Sequence, residues 1–216
     1  FPFNTRSTST TMATEHRVHL APPPRLVDAA KAVMGAIDFD PWSSPEINKL
    51  VMAAKFYDRE KLDLDTVLAK EWDVPGEKRV FVAPAHGAQW TRRLANKALR
   101  EYRKGRIDQA LLWISHNESL TKLPWMWEYP VCIPFRRLRP CYYDDELETF
   151  RQVSPSSWSA VVYLPPTDPQ MFHARVSRFH NTFFPTGPVI FNEMSGQNEW
   201  EKAYEVGMKK RYNYHD

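Results

Sequence analysis

Glycine is scarce in this chain, with seven in 216 residues. So few glycines argue against the Gly-rich loops that cradle phosphates, and neither the dinucleotide-binding pattern nor the phosphate-loop word occurs. Any nucleotide-like cofactor must be held by other chemistry. Cysteine is limited to Cys132 and Cys141. They lack metal-ligand spacing and suit a reduced interior better than a disulfide framework, with at most one bridge. No apolar run approaches the roughly 20 residues that span a bilayer. These features point to an intracellular setting, whether cytoplasm, organelle interior or phage-related. The histidines are scattered. His16 and His19 lie close together, but no Cys or acidic cluster joins them, so no metal is expected.

Proline is abundant, at 18, and aromatic residues make up 13% with 8 Trp. Many prolines imply stiff, extended connections. A hydrophobic fraction of 43% and a charged fraction of 25% are ordinary for a globular protein, and the length suits one α/β domain with a well-buried core. A net charge of +3 is mildly basic and does not by itself establish nucleic-acid binding.

The opening "FPFNTRSTSTTMATEHR" is rich in Ser and Thr and carries no acid before Glu15. Residues 1–18 read as an extended N-terminal arm or a processing remnant, with Met12 an alternative start. Residues 19–216 read as one domain ending in a helical tail. "APPPRLVDAAKAVMGA" places a proline run at a helix entrance, with the helix over 26–36. "AIDFDPW" reads as a short buried strand whose carboxyl end carries Asp38 and Asp40. In "SPEINKLVMAAKFYD", Ser44 is a plausible N-cap, and Ile47, Leu50, Val51 and Ala54 follow at helical spacing. "KLDLDTVLAKEWD" reads as a polar connection anchored by Leu62, Leu64 and Trp72.

Strand signals recur at 80–82, 110–114, 131–133, 160–164 and 189–191. "ALLWI" and "SAVVYLP" are continuous apolar runs, as expected of strands covered on both faces. Alternation with helical segments predicts an α/β fold with a Rossmann-like sandwich: a single mixed or mostly parallel sheet with helices on both faces.

In such a sheet, ligands sit at the carboxyl ends of the strands. Two of those ends stand out, "DFDPWSS" and "VFVAPAHG". A carboxylate at the first can accept hydrogen bonds from a ribose or an amino group. Equally, Asp40-Pro41 can be a plain turn dipeptide. On the helix from Ala88 to Arg106, Trp90, Leu94, Ala98 and Tyr102 share one side, while Arg92, Arg93, Lys97, Arg100, Arg103 and Lys104 share the other. A basic face of this kind can lie along a phosphate backbone or simply be a solvated helix face. "FRRLRP" and "MKKRYNYH" add basic residues interleaved with aromatics, which suits nucleic acid or an acidic protein partner. Trp125, Trp127 and Tyr129 in "LPWMWEYP" alternate as a strand or extended loop would, either to stack on bases or to fill a core or interface.

Taken in order, "APPPRLVDAA", "DFDPWSSPEINKLVMAAKFYD", "EWDVPGEKRVFVAPAHG", "ALLWIS", "PFRRLRPCYY" and "SAVVYLPP" resemble the successive elements of the phage-type DNA N6-adenine methyltransferase family. The resemblance runs from about Glu15 to Phe191 and rests on order and spacing. It implies a methyltransferase sandwich, S-adenosylmethionine as cofactor with Pro23, Asp38 and Asp40 on its side, and a catalytic strand end at 83–86. Family members place Asn or Asp, two prolines and an aromatic residue there, so that side chain and proline carbonyl accept hydrogen bonds from the adenine amine and the aromatic stacks on the flipped base. This chain has Ala83, Pro84, Ala85 and His86. Ala83 supplies no acceptor, Pro84 keeps the first proline, and His86 takes the aromatic place. The opening Thr-Pro of the family appears as Pro22-Pro23.

The leading expectation is a methyltransferase-like domain that has lost catalysis and acts as a binding or structural subunit of a nucleic-acid or protein assembly. The alternative is an active S-adenosylmethionine-dependent DNA adenine methyltransferase that uses Pro84 and His86. A third option, an unrelated α/β enzyme with His86 as base, finds Ser43, Ser44 and Ser115 as nucleophiles by residue type alone.

Overall fold

The computed structural model describes residues 20–191, apart from His86 and Ser156. The expected arm over 1–18, His16, His19 and the C-terminal tail with "MKKRYNYH" lie outside the described residues.

The chain opens with β1 (Leu20–Ala21), α1 (Pro24–Met34), β2 (Phe39–Ser43), α2 (Pro45–Val51), β3 (Lys55–Asp58) and α3 (Leu64–Ala69). Next come β4 (Arg79–Val82), α4 (Ala88–Arg103), β5 (Gln109–Ile114) and β6 (Val131–Cys132). The remainder is β7 (Cys141–Asp144), β8 (Thr149–Gln152), β9 (Ala160–Leu164), α5 (Pro169–Phe183) and β10 (Val189–Ile190).

A seven-stranded central sheet has the order β10-β6-β9-β5-β4-β2-β3. The four strands β3, β2, β4 and β5 are mutually parallel. Antiparallel β9 lies between β5 and β6, and β10 runs antiparallel on the β6 edge. This is a mixed, Rossmann-like α/β sheet. Side-chain alternation along the strands divides the core in two. Val80, Val82, Leu112 and Val162 pack on one face with Leu94 and Ala98 of α4 and Val67 of α3. Phe81, Leu111, Val161 and Tyr163 pack on the other with Val27 and Val33 of α1, Ile47 of α2 and Phe179 of α5. Phe39 and Phe81 are fully buried, each contributing about 1.5–3 kcal/mol.

Several expectations are corrected by local chemistry. The helix opened by Ser44 stops at Val51, short of Ala54. Asn48 takes both backbone groups of Ala53 with its amide, and Met52 turns left-handed at φ 56°. "KFYD" is then free to pair as β3, an edge strand of half-buried side chains. The supposed polar connection holds α3, capped by Asp63, whose carboxylate accepts from the Thr66 N–H at 2.7 Å. "PWMWE" forms a 3-10 turn with Met126 fully buried and the Trp125 indole N–H donating to Asn96. There is also a second sheet, β1-β7-β8, built on a hairpin over 141–152. Its strands are short, and only β8 is mostly exposed; they lack the long apolar runs that mark the central ones. Among the described residues, no helix is long and apolar enough to cross a membrane. Cys132 and Cys141 are buried free thiols.

Candidate functional site

From β2 the chain steps outward to β3, then crosses back to β4 on the other side of β2. The strand order therefore reverses between β2 and β4, and their carboxyl ends flank the position where ligands bind in open α/β sheets. Asp40, Trp42, Ser43, Ser44, Ala83 and Pro84 come together here, and all are buried.

Asp40 lies inside β2 with its carboxylate accepting from the Trp42 N–H at 3.0 Å. Burial pushes its carboxyl up to about 6, and the nearby Arg59 guanidinium opposes that shift. Arg59 follows β3 and donates through Nη1 to the Leu20 carbonyl at 3.2 Å. Its Nε and Nη2 are buried with no hydrogen-bond partner among the described residues. The charge of half-buried Arg59 thus acts on the buried Asp40 carboxylate beneath β1. Sequence reading missed Arg59, because nothing local to residue 59 signals that β1 folds over it.

At the end of β4, Ala83 is 7% exposed and offers no side-chain acceptor. The Pro84 carbonyl accepts from the Ser115 hydroxyl at 3.1 Å. That hydroxyl lies 3.1 Å from Thr91 Oγ1 and 3.1 Å from His116 Nδ1. Trp90, in the first turn of α4, meets Trp42 edge to face at 5.2 Å between ring centres. A Ser-His contact suggests nucleophilic catalysis, which needs the base oriented by a third group. No described carboxylate reaches His116 to orient it, and the one Ser115 proton has three partners at 3.1 Å, the Pro84 carbonyl, Thr91 Oγ1 and His116 Nδ1. His86 is outside the described residues.

Asp38 is not at the carboxyl end. β2 begins at Phe39, so Asp38 precedes the strand, at the amino edge of the sheet. Its carboxylate is gripped by Arg79, with Oδ2 accepting from the backbone N–H at 2.9 Å and Nε at 2.8 Å, and Oδ1 from Nη2 at 2.8 Å. Burial raises its pKa, but these Arg79 contacts outweigh it and hold the carboxyl below its usual range. This pair joins the starts of β2 and β4. Pro23 is buried at the N-cap of α1, where its carbonyl accepts from Leu26 and Val27, and it lines a groove on the α1/α5 face. Pro23, Asp38 and Asp40 therefore sit in three different surroundings.

The basic side of α4 is largely committed to intramolecular pairs. Lys97 is buried and pairs with Glu101 at 2.7 Å, so it is not on a free cationic face. Arg92 pairs with Glu118, Arg93 with Asp65 and Arg103 with Glu128. Only Arg100 and Lys104 of the six are exposed with no such partner among the described residues. The helical wheel groups these cations on one side, but it cannot show that Lys97 is buried or what pairs with the others. Among the described residues, no group of three or more His, Cys, Asp or Glu is placed to hold a metal ion.

Compared with known proteins, the chain matches no family model, no curated protein and no solved structure.

Proposed function

We propose that this is a methyltransferase-like domain that has lost methyl transfer and acts by binding, as a subunit of a nucleic-acid or protein assembly. The observation that carries it is the state of the β4 strand end. The acceptor side chain expected at residue 83 is absent, and the Ser115 hydroxyl occupies the Pro84 carbonyl that would orient an adenine amine. Losing one such acceptor, at about 3 kcal/mol of transition-state stabilisation, slows a reaction more than a hundredfold. In this reading the Trp42–Trp90 pair, in edge-to-face contact at 5.2 Å beside the same strand ends, fills space that a cofactor would need.

Calorimetric titration with S-adenosylmethionine and S-adenosylhomocysteine tests this. A closed strand-end crevice gives no binding heat up to about millimolar ligand, which means a binding free energy weaker than about 4 kcal/mol. Micromolar binding of either compound would overturn the closed-crevice reading and restore the active methyltransferase as the better account.

A further inference from the structure

On the α1/α5 face, away from the strand-end crevice, lies an open groove of about 810 Å³. One wall is the first turns of α1, and the other is the segment after β6, residues 135–139. Four arginines line it, Arg25, Arg136, Arg137 and Arg139, and no Asp or Glu does. All four are exposed, and none has a carboxylate partner among the described residues. This contrasts with α4, where most cations are already neutralised. Phe135, adjoining Arg136, is 67% exposed, so its ring is open to solvent beside the arginines.

The walls are held in place. The Phe135 N–H donates to the Thr186 carbonyl at 2.9 Å and the Ile133 N–H to Pro188 at 3.0 Å, fixing the arginine segment to the end of α5. On the other side, the Cys141 thiol donates to the Pro22 carbonyl at 3.2 Å, and β1 pairs with β7, fixing the approach to α1. A held cluster of like charges repels itself, and it is relieved by an anion that reaches several of its members. Every groove cation is arginine, whose planar guanidinium pairs with phosphate oxygens in two-point fashion. A single small anion would leave most of the four unmet, whereas a phosphodiester chain presents a charge per nucleotide. The exposed ring beside that path offers a stacking surface, which needs an unpaired base.

We propose that this groove binds single-stranded nucleic acid, with Arg25, Arg136, Arg137 and Arg139 on the backbone and Phe135 stacked on a base. The proposal does not depend on the loss of methyl transfer, because cofactor titration probes the strand ends and oligonucleotide binding probes the groove.

The test uses fluorescence anisotropy on the full chain with labelled oligothymidylate and oligouridylate of about 12 nucleotides, long enough for a typical single-strand site. A duplex of the same length and a polyglutamate peptide serve as comparators. Single strands of either kind should bind more tightly than duplex or peptide. The Arg136→Glu/Arg137→Glu/Arg139→Glu variant should lose at least about tenfold in affinity, with its salt slope reduced by about 2 between about 50 and 200 mM salt. Arg25→Glu alone, on the other wall, should weaken binding in the same direction should the triple variant fail to fold. Phe135→Ala should weaken binding about fivefold or more, the loss of one stacked base. Arg92→Glu/Arg93→Glu/Arg100→Glu, on the opposite face, should bind as the parent does. Four outcomes overturn the proposal: no binding at low salt, tighter binding of duplex, equal binding of polyglutamate with Phe135→Ala unchanged, or loss through the α4 variant instead.

Discussion

Replacing Glu101 by Gln is expected to lower the unfolding free energy by about 3–5 kcal/mol, the usual cost of removing one partner from a buried ion pair. Glu101 has 1% side-chain exposure and accepts from Lys97 Nζ at 2.7 Å and from Arg106 Nη1 at 3.1 Å. The Gln variant keeps the shape but leaves the Lys97 ammonium, 7% exposed, without a countercharge. Simultaneous Lys97→Met and Glu101→Leu should recover most of the loss, since Arg106 retains Glu71 and the two new side chains pack with Trp72. The pH dependence follows from the same contacts. Burial raises the Glu101 pKa, but the hydrogen bonds from Lys97 and Arg106 outweigh it and hold the carboxyl below its ordinary value of 4.5. A carboxyl depressed in the folded state stabilises above its unfolded pKa and loses that contribution as pH falls toward the folded one. The gap between parent and Glu101→Gln should therefore be full near neutral pH and narrow on acidification below 4.5. Urea denaturation of the three proteins across that range checks both statements. An equal gap at every pH would mean that Glu101 stabilises by packing rather than by charge.

Gly187→Ala is the second large effect, at about 3 kcal/mol, the upper end of the usual cost of overpacking. A Cβ there would land on the Ile133 carbonyl and come within 2.8 Å of Pro134 Cα. Both are backbone atoms, held by the Ile133–Pro188 and Phe135–Thr186 hydrogen bonds, so no side chain can swing aside to relieve the clash. Relief requires separating the 133–135 segment from the chain after α5, which also moves Phe135 and the arginines that follow it. A thermal unfolding scan reads the destabilisation. Amide exchange should show the Ile133 and Phe135 protons losing protection before those of β5. Unchanged stability would mean that the two segments are less tightly apposed than described.

The parts of the fold that were legible in sequence are those whose stability is local or periodic. Continuous apolar runs marked β5 and β9, because strands covered on both faces have no polar side to show, and β4 gave a shorter strand signal. Ser44 marked the start of α2. Its end was hidden, since the Asn48 amide closing on Ala53 is a specific contact and not a pattern. The small sheet was hidden as well, because β1 finds β7 across more than a hundred residues of chain. At the site, Ala83 and Pro84 could be read directly. The Ser115 hydroxyl on Pro84, Arg59 beneath β1 and the partners of the α4 cations are tertiary contacts with no local signature. From sequence, both Asp38 and Asp40 are expected at the carboxyl end of the strand. The start of β2 at Phe39 separates them, sending one to Arg79 at the amino edge and the other into the strand-end interior.

The two halves of the molecule thus point the same way. In the proposed reading the strand ends hold the Trp42–Trp90 contact and the Ser115–Pro84 hydrogen bond, while four exposed arginines with no carboxylate partner among the described residues line a groove on the α1/α5 face. The most direct test of the central claim is incubation of the full chain with methyl-labelled S-adenosylmethionine and adenine-containing DNA, single-stranded and duplex, followed by nucleoside analysis. The predicted result is no N6-methyladenine above the protein-free blank. Labelled N6-methyladenine that accumulates with time and protein concentration would contradict it.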